Sequence, residues 1–212
     1  LRKTDEHQQL IKIIINMLKA YITAPNIKNG DFQSGLMTGM SGILLTIFEY
    51  AHLYKSVEDE LFVETHLNKL KEIIIGNNPI DYVGGNIGAL ALMIKIIKKT
   101  NNIRLKNECI EISDFIILDL KKSLYQYNNE QHTTIYSGFS HGLSGVINYL
   151  YEYFTLTNDQ SVYQIFKRCL DEQRARFWSE EHHDWIVSNK EQKFAYGWCH
   201  GSPGILIEKV NL

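Results

Sequence analysis

The feature that most constrains this chain is a pair of glycines three residues apart, used four times: Gly39/Gly42, Gly85/Gly88, Gly142/Gly145 and Gly201/Gly204. The unit recurs after 46, 57 and 59 residues, longer than common solenoid repeats and sufficient for a helix, a loop and a second helix. An apolar run follows each pair at once, over 43–54, 89–97, 146–154 and 205–210. An amphipathic stretch precedes each pair at some distance, over 6–21, 58–75, 103–125 and 161–178. In the last of these, Val162, Ile165, Phe166, Cys169 and Leu170 fall at helical spacing, with Gln164, Lys167, Arg168 and Asp171 between them. Strands are hard to place anywhere, and three prolines in 212 residues leave long helices possible. The loops are polar, as in residues 25–30, Asn77-Asn78-Pro79 and Asn128-Asn129.

Amphipathic helices alternating with apolar ones describe a layered all-α ring, amphipathic outside and apolar inside. Inner helices are expected to start near Ile43, Ala89, Val146 and Ile205, with the glycines allowing sharp turns and close approach before them. Four helix N-termini at one end of the ring collect unpaired N–H groups and positive dipole ends, so chemistry is expected there. Taken singly, each glycine pair is as well explained by close helix packing.

Composition narrows the function classes. Hydrophobic residues make up 44% and charged residues 22%, globular values that exclude a disordered tail. A net charge of −2, with no Lys/Arg stripe, argues against nucleic acid. Cys109, Cys169 and Cys199 are odd in number and far apart, which fits a reducing, cytoplasmic setting rather than a disulfide framework. No apolar run is long enough for a membrane span, although peripheral association with a biosynthetic or transport complex stays open.

The polar residues attached to the repeats differ. The second reads Asp81-Tyr82-Val83-Gly84-Gly85-Asn86-Ile87-Gly88, the third Phe139-Ser140-His141-Gly142-Leu143-Ser144-Gly145, and the fourth Trp198-Cys199-His200-Gly201-Ser202-Pro203-Gly204. His141 and His200 share a slot directly before the first glycine of a pair. One carboxylate, two imidazoles and one thiol are thus expected to converge. Each has a plainer reading: His141 as a helix cap, Asp81 as a cap or dipole partner, Cys109 and Cys169 as small buried hydrophobes. The run His182-His183-Asp184 reads as a solvated loop.

The third and fourth motifs together resemble those of the lanthionine synthetase C-like cyclases, and the resemblance runs through all four repeats. Trp198-Cys199-His200-Gly201, with Asp184-Trp185 before it, is similar to the cyclase domains of bifunctional lanthipeptide synthetases. The resemblance implies an α,α-toroid whose mouth holds a zinc ion on two cysteines and one histidine, with the substrate thiol in the fourth position. By residue match, Cys199 is the first zinc ligand, His141 the active-site histidine and Asp81 the active-site aspartate. His200 and Trp198 are implied beside the substrate. An arginine that precedes Trp-Cys in some relatives is replaced by Ala195, leaving Lys193 as the nearest cation. The other two ligands belong to a later Cys-His-Gly motif that residues 1–212 do not contain, so a partial domain and an incomplete ring are expected.

Three functions follow as alternatives: a zinc-dependent cyclase closing thioether rings in a dehydrated precursor peptide, a glutathione- or thiol-adding protein on the same toroid, and a non-catalytic peptide-binding fragment. The chemistry of the residues favours the first. A thiolate is the nucleophile for addition to dehydroalanine or dehydrobutyrine, and a metal-bound thiol is deprotonated. The enolate that forms needs a proton on carbon, a task suited to histidine.

Overall fold

The computed structural model describes residues 5–25, 28, 31–76, 79–127 and 134–212, and nothing is described of the side chains at 124–127. Of the loop segments named above, Asn26, Ile27, Asn29, Gly30, Asn77, Asn78, Asn128 and Asn129 lie outside the described residues.

Eight helices run in chain order through the described residues. The outer set is α1 (Asp5–Thr23), α3 (Val57–Ile75), α5 (Ile103–Tyr127) and α7 (Gln160–Phe177). The inner set is α2 (Met40–Tyr54), α4 (Asn86–Lys99), α6 (Leu143–Thr157) and α8 (Ser202–Asn211). Within the inner set α2 packs on α4, α4 on α6 and α6 on α8, while α3, α5 and α7 each lie on the inner helix next to them in sequence. The fold is all-α, as the alternation of apolar and amphipathic stretches predicts.

Burial follows that alternation. In α4 only Lys95 and Lys98 are exposed, whereas Ile87, Leu90, Leu92, Met93, Ile94 and Ile96 are fully buried. Each such side chain contributes about 1.5–3 kcal/mol relative to exposure. The outer helices bury one face: in α3, Val63, Leu67, Leu70 and Ile74 point inward and Val57, Leu61 and Ile75 outward. Two edges stay apolar and uncovered. One is the stripe Leu10, Ile14, Met17 and Tyr21 on α1; the other is Leu206 and Val210 on α8, where Ile205 itself is buried. No helix among the described residues is long and apolar enough to cross a membrane.

Three details differ from the sequence reading. The inner helices begin at Met40, Asn86, Leu143 and Ser202, three residues ahead of expectation. The first glycine of each pair is the N-cap residue and the second already lies inside the helix. The glycines also do not supply sharp left-handed turns, since none of those described has a positive φ. Their role is close approach. A Cβ on Gly88 would lie 2.3 Å from the Leu36 N and Tyr82 O atoms, and one on Gly138 would lie 2.4 Å from the Cys199 carbonyl oxygen. The third difference is a small hairpin, β1 (Trp178–Ser179) paired antiparallel with β2 (Asp184–Trp185). Its two tryptophans face each other with ring centroids 5.1 Å apart. Two-residue strands carry no alternation to read.

Candidate active site

The turns ahead of the inner helices are bonded to one another sideways. Gly35 N–H donates to the Gly84 carbonyl at 3.0 Å and Leu36 N–H to the Tyr82 carbonyl at 3.2 Å. Tyr82 N–H then donates to Ser140 O at 2.9 Å, and Ser140 N–H to Cys199 O at 3.2 Å. This belt of backbone bonds puts the polar residues of three repeats at one end of the helical arc. All four N-caps are glycines, which bring no side-chain cap bond of their own.

Asp81 works in two directions. Its Oδ1 accepts from the amides of Gly84 at 2.7 Å and Gly85 at 3.1 Å, closing the turn before α4. Its Oδ2 stands 3.2 Å from His141 Nδ1. One carboxylate oxygen thus closes the turn while the other meets the imidazole. Asp81 is largely buried, while the His141 side chain keeps 35% of its surface exposed. A carboxylate beside Nδ1 selects the tautomer with the proton on Nδ1, so Nε2 is the atom left to exchange a proton.

His141 and His200 stack with ring centroids 5.2 Å apart and 26° between planes. Tyr136 meets His200 edge-on at 5.1 Å. Burial, and then the neighbouring His141, pushes the His200 imidazole below its ordinary pKa. Two rings this close resist carrying charge together. Cys199 is half-buried and free, lying in the turn two residues before the N-cap Gly201 rather than in the helix itself. The other thiols are mid-helix: Cys109 is fully buried with its pKa pushed up, and burial pushes Cys169 up to about 12. Both match their reading as small hydrophobes. Ser140, directly before His141, buries its hydroxyl without a hydrogen-bond partner among the described residues.

Trp198 packs rather than reaches. Its ring lies 5.8 Å from Phe139 and 6.1 Å from Tyr82, and Tyr82 stacks on Tyr149 at 5.4 Å. This aromatic wedge joins the second, third and fourth repeats next to the site. Lys193 stands apart: its side chain is 77% exposed and faces Glu191 at 3.6 Å, and no contact described joins it to Asp81, His141, Cys199 or His200. His182 and His183 are exposed in the turn of the β1–β2 hairpin.

Sequence reasoning passed over Tyr136 and Tyr82. A signal for Tyr82 was present, since it follows Asp81 immediately in the glycine-bearing turn; Tyr136 reaches His200 only through the fold. A narrow cleft of about 80 Å³, partly open to solvent, borders His141 and Tyr136, with Leu120, Leu143, Val146 and Cys169 along its apolar wall.

A three-ligand zinc site does not fit the residues present. Cys199 is the one accessible thiol, Asp81 is engaged with His141, and no group of three or more His, Cys, Asp or Glu among the described residues can hold a metal ion. What the arrangement does offer is a carboxylate-held imidazole with a free Nε2, beside a second imidazole and a thiol.

No curated protein sequence matches the chain. The family model described as "Lanthionine synthetase C-like protein" matches residues 3–211, almost the whole chain and all four repeats. The chain therefore belongs to the lanthionine synthetase C-like family.

Proposed function

We propose that this chain carries the proton-transfer half of a lanthionine-type cyclase, which adds a cysteine thiol of a dehydrated peptide to dehydroalanine or dehydrobutyrine. The observation that carries the reading is the His141–Asp81 pair at 3.2 Å, set beside the Cys199 turn by the Ser140–Cys199 backbone bond. In the addition, sulfur attacks the β-carbon, a C–S bond forms and the C=C electron pair moves onto the α-carbon and its carbonyl as an enolate. The proton lost from sulfur must reach the α-carbon. His141 Nε2 takes that proton and returns it to carbon, so the imidazole ends as it began. Asp81 stabilises the imidazolium between the two transfers and holds the ring in one orientation. The carboxylate of Asp81 stands beside His141 Nδ1, which marks His141 as the ring that takes part in the transfer.

Zinc enters this proposal only as an expectation. Cys199 supplies one thiolate donor, and no step above depends on an ion. The test is a peptide with one cysteine and one dehydroalanine incubated with the protein. Ring closure leaves the mass unchanged and removes the alkylatable thiol. Progressive loss of alkylation at constant mass supports the cyclase. Adducts of added glutathione instead would favour the thiol-adding alternative, and unchanged peptide that nevertheless binds would favour the non-catalytic one.

A further inference from the structure

Gln173 on α7 is fully buried, an uncommon place for a flexible polar side chain. All of its hydrogen-bonding groups are used. Its Nε2 donates to Ser144 Oγ at 2.7 Å and to Glu208 Oε2 at 3.2 Å, and its Oε1 accepts from Lys209 Nζ at 2.8 Å. The direction of each bond follows from chemistry. Ser144 spends its own proton on the Ser137 carbonyl at 2.7 Å, so its oxygen is left to accept. Glu208, also fully buried, offers a carboxylate, and Lys209 can only donate. An amide is the one side-chain group that donates twice and accepts once here. A glutamate would face Glu208 with a second carboxylate, and a leucine would leave Glu208 and Ser144 short of donors.

What this amide joins matters for the site. Ser144 lies in the first turn of α6, the helix that follows His141, and its hydroxyl grips the turn leading into it. Glu208 and Lys209 lie on α8, the helix that follows Cys199 and His200. The two site-bearing helices are tied again at the far end of α8, where Asn211 Nδ2 donates to Asn148 Oδ1 at 2.8 Å. At its near end Ser202 Oγ bonds to Asp184 of the hairpin. Gln173 is the member of this set that reaches both helices from a third. We propose that Gln173 is a positioning residue: through Ser144 and Glu208 it locks α8 against α6 and so holds the Cys199 turn beside His141.

The experiment reads Cys199 itself and needs no substrate. Alkylation of the three cysteines by iodoacetamide is followed by peptide mass spectrometry, well below the melting temperature, in wild type and variants. In Gln173→Leu the Cys199 rate should rise about threefold or more through local opening of its turn, while Cys109 and Cys169 stay slow. Leu67→Ala, a buried change on α3 with a comparable loss of melting temperature, should leave the Cys199 rate unchanged. Gln173→Glu, which can donate to neither Ser144 nor Glu208, should raise the Cys199 rate as Gln173→Leu does. Should Gln173→Leu fail to fold, Gln173→Asn, one methylene short of both partners, takes its place. A Cys199 rate equal to wild type in the folded Gln173 variant would overturn the proposal, as would an equal rise in Leu67→Ala.

Discussion

The carboxylate of Asp81 is divided between two tasks: one oxygen closes the turn ahead of α4 through the Gly84 and Gly85 amides, and the other holds His141 Nδ1 at 3.2 Å. Asp81→Asn keeps an oxygen for the amides but loses the charge that steadies an imidazolium. Activity should fall by roughly 10²-fold or more, within the range of acid–base contributions, with little change in melting temperature. Asp81→Ala should lose activity and also about 1–2 kcal/mol of stability from the uncapped turn. Thermal melts beside cyclisation rates separate the two.

The glycines make a sharp pair of expectations. Gly138→Ala would place a methyl 2.4 Å from the Cys199 carbonyl oxygen and the His200 Cα, both backbone atoms that cannot swing aside. It should cost roughly 1–3 kcal/mol and lower activity by separating the third and fourth turns. Gly197→Ala meets nothing within 4 Å and should be tolerated. Equal effects in urea denaturation would contradict this account of the repeat.

Glu208 should give stability a characteristic pH dependence. Burial raises its carboxyl above the ordinary 4.5, against the opposing pull of Lys209 and Gln173. Between those two values the folded chain keeps a proton that the unfolded chain has released, so this group's contribution falls as pH rises through the window. Glu208→Gln removes that slope. Denaturation of both proteins from pH 4 upward should show the variant gaining on wild type as pH increases; parallel curves would rule the effect out.

Much of this architecture is legible in the sequence, and the losses have physical causes. The inner and outer helices follow from apolar and amphipathic periodicity. Their starts are displaced because glycine inside a helix costs about 0.5–1 kcal/mol relative to alanine, which argues for a turn. Tertiary contact overrides that preference: a Cβ on Gly42 would lie 2.1 Å from the Leu36 carbonyl oxygen, so the helix must accept the residue. His141 and His200 announce themselves by a shared slot, and Cys199 and Asp81 by the glycine-bearing strings in which they stand. Tyr136 and Gln173 do not, because each contributes through partners tens of residues away, as in the Gln173–Glu208 bond. Lys193 shows the converse, near Trp198 in sequence yet directed at Glu191.

Metal content offers a separate check. Catalytic zinc is held by three protein ligands, and of the expected set only Cys199 is matched in these 212 residues. Zinc bound to this chain should be substoichiometric after dialysis against a mild chelator. Tightly held zinc at one ion per chain would contradict this and turn attention to His182 and His183.

The central claim is that His141, held by Asp81, moves the proton from sulfur to carbon. Its most direct test is the cyclisation rate of a dehydrated peptide with His141→Asn beside His52→Asn, a histidine exposed in the last turn of α2. The account predicts a fall of roughly 10²-fold or more for His141→Asn and a wild-type rate for His52→Asn. Equal rates in the two folded variants would contradict it.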